Sequence, residues 1–157
     1  MKYLQRVIIA AIVFFMMGHS MALADMDDGN LKGLNAFDVV VDIPATSCGP
    51  SKSDIKTSVL YVLSSSRIRY VARLFSPYIY VNVNILDDCS AADVSFGIDA
   101  ETILAANRRH MGWTAVWGGE TKGGLFAGRN EMSSRILAAV ERYTKEFVVA
   151  WTSANPH

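Results

Sequence analysis

The segment Tyr78-Ile79-Tyr80-Val81-Asn82-Val83-Asn84-Ile85-Leu86 constrains the fold more than any other. Ile79, Val81, Val83 and Ile85 share one side; Tyr78, Tyr80, Asn82 and Asn84 share the other. Side chains alternate across a strand, so this pattern specifies one buried face and one face toward water. Phe37-Asp38-Val39-Val40-Val41-Asp42-Ile43 follows the same rule, with Asp38 and Asp42 opposed to Phe37, Val39, Val41 and Ile43, and Pro44 stops it. Asp93 to Leu104 alternates again, with Val94, Phe96, Ile98, Ala100 and Leu104 inward and Ser95, Asp99 and Glu101 outward. Trp113–Trp117 is its return strand across a hairpin connection at 106–112. Arg69–Arg73 reads as a short strand.

Two segments have helical period. After Ser51 or Ser53 as N-cap and Asp54 at the positive end, Ile55, Val59, Val62 and Leu63 recur on one side. Met132, Ile136, Leu137, Val140, Tyr143, Phe147, Val148 and Trp151 form a longer stripe, with Glu141 and Lys145 as an i, i+4 pair on the opposite side. Two helices cannot cover both faces of a sheet. The expected fold is therefore α+β: a two-layer sandwich with a mostly antiparallel four- to five-stranded sheet and both helices on one face, in the order β-α-β-β-β-β-α. The first helix makes a crossover between parallel strands. Residues 118–130, rich in glycine, read as a mobile hairpin or linker. Lys122 lies among those glycines, but the spacing is not that of a phosphate-binding loop.

The N-terminus reads as an export signal over residues 1–24. Lys2 and Arg6 precede an unbroken apolar run of 11 residues, Val7 to Met17, and Ala22-Leu23-Ala24 supplies small residues before Asp25. The run is shorter than the roughly 20 residues that span a bilayer as a helix. The expected organisation is a cleaved signal peptide over 1–24, a flexible N-terminus over 25–32 and a single domain over 33–157. Without Lys2 and Arg6 the 15 basic residues become 13 against 15 acidic, net −2, which gives no electrostatic footprint for nucleic acid. A bacterial periplasmic or secreted protein without a stable membrane anchor is expected.

Export decides the reading of Cys48 and Cys89. An even pair in an oxidising compartment is most simply a disulfide. Each cysteine follows an apolar strand, and if the two strands are parallel neighbours both emerge at the same end of the sheet. No Cys–x–x–Cys or His–x–x–x–His pair is present, and Asp25–Asn30 lacks the later glycine and glutamate of a calcium loop, so no metal or cofactor is expected.

The residues expected to face away from the helices, Tyr78, Tyr80, Asn82, Asn84, Asp99 and Glu101, form the candidate binding surface. Tyrosine and asparagine are adaptable contact residues. The function read from this is a non-enzymatic exported binding or accessory module, acting through the open face or an edge strand on a protein partner or a second copy. One alternative is a small envelope hydrolase using Asp99 and Glu101, which sit about 6–7 Å apart along one strand. Another is an inhibitor or immunity-type protein. Arg108, Arg109 and His110 read as a solvated hairpin tip.

The run Pro77-Tyr78-Ile79-Tyr80-Val81-Asn82-Val83-Asn84, the helix before it and the ending Phe147-Val148 to Asn155-Pro156 resemble a group of small exported bacterial proteins of unassigned function. The resemblance implies a shared architecture and assigns no catalytic residue.

Overall fold

The computed structural model describes residues 28–45, 48–72, 76–103, 111–118, 123–128 and 130–156. The expected signal segment, the Arg108-Arg109-His110 tip and Lys122 lie outside the described residues. After a 3-10 turn at Asp28–Leu31 come β1 (Ala36–Asp42), α1 (Lys52–Ser64), β2 (Arg69–Tyr70), β3 (Tyr78–Ile85), β4 (Ala91–Ile103), β5 (Met111–Trp117), β6 (Gly123–Ala127) and α2 (Met132–Ala154). The strands form one open mixed sheet in the order β2-β1-β3-β4-β5, with β6 also on β4. β1 is parallel to both its neighbours, and β4 is antiparallel to β3, β5 and β6.

The alternation read from the sequence becomes the layer boundary. Ile79, Val81, Val83 and Ile85 of β3 are buried with Phe37 and Val39 of β1 and with Val94, Phe96 and Ile98 of β4. Ile55, Val59 and Leu63 of α1 and Ile136, Val140, Tyr143, Phe147 and Trp151 of α2 join the same core. Both helices therefore cover the aliphatic side of the sheet. Phe147 is its aromatic centre: its ring lies 5.3 Å from Phe37, 5.6 Å from Trp117 and 6.5 Å from Phe96. The start of α1 is fixed by Ser51, whose hydroxyl accepts from the Asp54 amide at 3.1 Å while Asp54 accepts from the Ser51 amide at 3.0 Å.

The strand count departs from expectation. Gly123–Ala127, within the segment read as a mobile hairpin or linker, is a strand pairing Ala91–Ser95 of β4. β5 pairs Ile98–Ile103 of β4, so β5 and β6 lie end to end along the edge of β4 that β3 does not occupy. Here glycine serves close packing. Gly124 faces α2, and a Cβ there would lie 2.8 Å from the Tyr143 hydroxyl oxygen. Arg135 of α2 holds the end of β6 by donating to the Ala127 carbonyl at 3.0 Å.

Cys48 and Cys89, 41 positions apart in sequence, form a disulfide with Cα atoms 6.2 Å apart. Their strands are the parallel neighbours β1 and β3, so both cysteines leave the sheet at the same end.

The two chain ends close against each other. Leu31, inside the segment expected to be flexible, is fully buried. The Asn155 side chain accepts from the Gly33 amide at 2.7 Å and donates to the Leu31 carbonyl at 3.1 Å and the Trp151 carbonyl at 2.9 Å. Trp151 Nε1 donates to the Leu34 carbonyl, and Arg67 lies over the Trp151 ring at 5.4 Å. Asn155→Ala removes three of these bonds; the Leu31 and Trp151 carbonyls still accept from the Leu34 and Asn155 amides, and the Gly33 amide loses its partner. It is expected to cost about 1–2 kcal/mol and to raise the exchange rate of the Gly33 amide. A loss under about 0.5 kcal/mol in urea denaturation contradicts this role for Asn155.

Candidate functional site

The face of the sheet opposite the helices is built in rows set by strand register. Asp38, Tyr78 and Asp99 stand side by side across β1, β3 and β4; Val40, Tyr80 and Gly97 form the next row. Then come Asp42, Asn82 and Ser95, and beyond them Asn84, Asp93 and Leu125. The strands thus place Tyr78, Tyr80, Asn82, Asn84 and Asp99 on one continuous surface. Glu101 continues it along β4, on the same side as Asp99. Asn84 is exposed; Tyr78, Tyr80, Asn82, Asp99 and Glu101 are half-buried.

The tyrosines are held in place. Asp99 stands directly across from Tyr78, and Asp42 stands diagonally across from Tyr80, so each tyrosine has a carboxylate as its neighbour on this face. Their rings meet edge to face at 6.3 Å. Gly97, directly across from Tyr80, offers no side chain that would compete with the ring for space. At the margin, Asp38 accepts from the Val39 amide at 2.7 Å, and Lys56 approaches it to 3.9 Å.

Burial pushes the Tyr78 hydroxyl above its usual range, and the Asp99 charge and hydrogen bond add to it. Burial likewise raises Tyr80, followed by the charge and hydrogen bond of Asp42 and the charge of Asp99. Each shift favours the neutral phenol in the folded state. The stability it contributes is complete below the unfolded tyrosine pKa of about 10 and is lost as pH rises through the higher folded value. The melting temperature is therefore expected to fall more steeply above pH about 10 in the wild type than in Tyr78→Phe/Tyr80→Phe. Parallel profiles contradict the assigned hydrogen bonds.

Three residues of this surface were not singled out from the sequence. Asp93 sits two positions before Ser95 on the same side of β4, a parity legible in the sequence. Val40 belongs to an apolar run but points outward and is 39% exposed. Leu125, 78% exposed, comes from β6, the strand that glycine concealed. A cavity of about 390 Å³ opens at the end of the face, lined by Asp42, Pro44, Asn82 and Asn84 among others. A larger one, about 780 Å³, lies in the helix layer between Trp117 and α2, away from this face.

The surface offers fixed carboxylates, amides and aromatic rings. Among the described residues no three His, Cys, Asp or Glu side chains converge as a metal site, and no helix is long and apolar enough to cross a membrane.

Fold and surface together define a two-layer α+β domain with one helix-covered face and a polar and aromatic face that none of the described helices covers. The crystal structure of a minor lipoprotein from Acinetobacter baumannii is similar over 78% of this chain and 93% of that one, with a TM-score of 0.37 and 8% identity. No family model matches the chain, and no curated protein matches it.

Proposed function

We propose that this chain is a non-enzymatic binding or accessory module of the bacterial periplasm or extracellular medium, acting on a protein partner through its open sheet face. The observation that carries the reading is the pair Tyr78 and Tyr80, set beside Asp99 and Asp42 on a surface that no described helix covers. Aromatic side chains already ordered before binding lose little freedom on contact, so their area is available for affinity. The export-signal pattern of residues 1–24 and the Cys48–Cys89 bond support folding in an oxidising compartment.

The face is favoured over the edges. On one side the two-residue β2 covers β1 only at Ala36 and Phe37, and just beyond it the Asp38 side chain takes up the Val39 amide, with Lys56 beside it. At the other side the edge is divided between β5 and β6, and an interrupted edge is a poor template for strand addition.

Tyr80→Ala/Asn82→Ala tests the surface. The variant is expected to keep its fold by circular dichroism and to lose retention of the partner from an envelope extract by about 10-fold or more, as truncation of aromatic anchors does. Association and sedimentation equal to wild type reject this face.

A further inference from the structure

The open face separates charge within a chain whose 15 basic and 15 acidic residues balance. Asp42, Asp93, Asp99 and Glu101 lie on it, and among the described residues none of them forms an ion pair with a Lys, Arg or His. Asp38 has Lys56 at 3.9 Å. Arg69, at the corner of the sheet, gives its guanidinium to Asn35 at 3.3 Å. Of the other described cations, Lys52 is on α1, Arg135, Arg142 and Lys145 are on α2, Arg67 lies over the Trp151 ring, and Lys32 follows the 3-10 turn near the chain end. Among the described residues the strand register thus gathers carboxylates without an ion-pair partner on the face that no described helix covers, and a cationic partner complements them.

The tyrosines choose between cations. The register sets Asp99 across from Tyr78 and Asp42 diagonally across from Tyr80, so each ring has a carboxylate beside it. A guanidinium is flat, weakly hydrated and fork-shaped, so it can stack on a ring while donating to a carboxylate beside it. An ammonium is a compact, strongly hydrated point charge that gains less from such a unit. Val40, beside Tyr80 and 39% exposed, provides apolar surface for the aliphatic stem of such a side chain.

We infer that the open sheet face docks an arginine-bearing segment of a protein partner, with guanidinium groups over Tyr78 and Tyr80 and against Asp99 and Asp42. This rests on the proposed use of the face in binding and adds the chemistry of what it binds.

The test is fluorescence anisotropy with labelled octa-arginine, octa-lysine and octa-glutamate peptides on the folded, oxidised protein. Octa-arginine is expected to bind about 5-fold or more tighter than octa-lysine, to weaken as salt is raised, and octa-glutamate not to bind. Asp42→Asn/Asp99→Asn is expected to weaken octa-arginine about 10-fold, and Tyr78→Ala/Tyr80→Ala by a similar factor. Asp93→Asn/Glu101→Gln leaves the tyrosine hydrogen bonds intact and is expected to weaken it about 3-fold, which keeps the test open if the first pair unfolds. Glu141→Gln/Glu146→Gln on α2 should change nothing.

Equal affinity for the arginine and lysine peptides, or equal affinity of the wild type and both carboxylate variants, overturns the inference. The two readings fail separately. If Tyr80→Ala/Asn82→Ala still releases a partner from envelope extract while octa-arginine does not bind, the face is a binding surface and the cationic chemistry is wrong. If neither is seen, the face itself is rejected.

Discussion

Phe147→Ala is expected to remove about 3–5 kcal/mol of folding stability. Phe147 is fully buried and touches both layers: Phe37 from β1, Phe96 from β4 and Trp117 from β5 surround its ring. These neighbours sit on separate strands whose spacing is fixed by backbone hydrogen bonds, so they cannot collapse into the space left behind. The lost transfer energy is then joined by a cavity cost. Against a typical total of about 5–15 kcal/mol, such a change leaves a marginal domain. Val149→Ala, two positions along the same helix at 70% exposure, is the control, with an expected change within about 0.5 kcal/mol. Urea midpoints compare the two; a Phe147→Ala loss near 1 kcal/mol would mean that the aromatic cluster does not join the layers.

The second large effect belongs to the disulfide. Cys48→Ser is expected to cost about 4 kcal/mol under oxidising conditions, the loop-closure value for a cross-link of this span. In a thiol reductant the variant and the wild type should melt together, because both then lack the tether. The argument is topological: β1 and β3 are adjacent and parallel, and the bond joins the loops that leave them at one end. Without it those loops regain in the unfolded chain the freedom that the cross-link denied them. An equal loss in reductant and oxidant would show that Ser at 48 disturbs local packing and that the bond contributes little.

The parts of the fold legible in the sequence were those written in side-chain alternation. β3 declared both faces, since four aliphatics and four polar or aromatic residues take strict turns. The same parity in β1 and β4 puts Asp38, Asp42, Asp99 and Glu101 on the same face as the tyrosines. Register then supplied what parity cannot: which outward residues are neighbours. That Tyr78 meets Asp99 and Tyr80 meets Asp42 depends on strand order and offset, neither of which is a local property.

β6 was illegible for a physical reason. A period-two signal needs side chains, and Gly123 and Gly124 have none; the close approach of Tyr143 that favours glycine at 124 is a long-range contact. Glycine also signals mobility when nothing else is known, so the segment read as a linker. The clasp between Asn155 and residues 31–33 was hidden likewise, because its partners lie more than 120 positions apart in sequence. Leu31 looked like part of a fraying end for the same reason.

Lysine scanning of β3 tests the two-sided sheet most directly. The account predicts that Asn82→Lys and Asn84→Lys melt within a few degrees of the wild type, because their side chains reach water, while Val81→Lys and Val83→Lys fail to fold because each buries an unpaired charge beneath the helices. A folded Val83→Lys beside an unfolded Asn82→Lys would mean that the helices cover the opposite side, and the surface on which the whole functional reading stands would not exist.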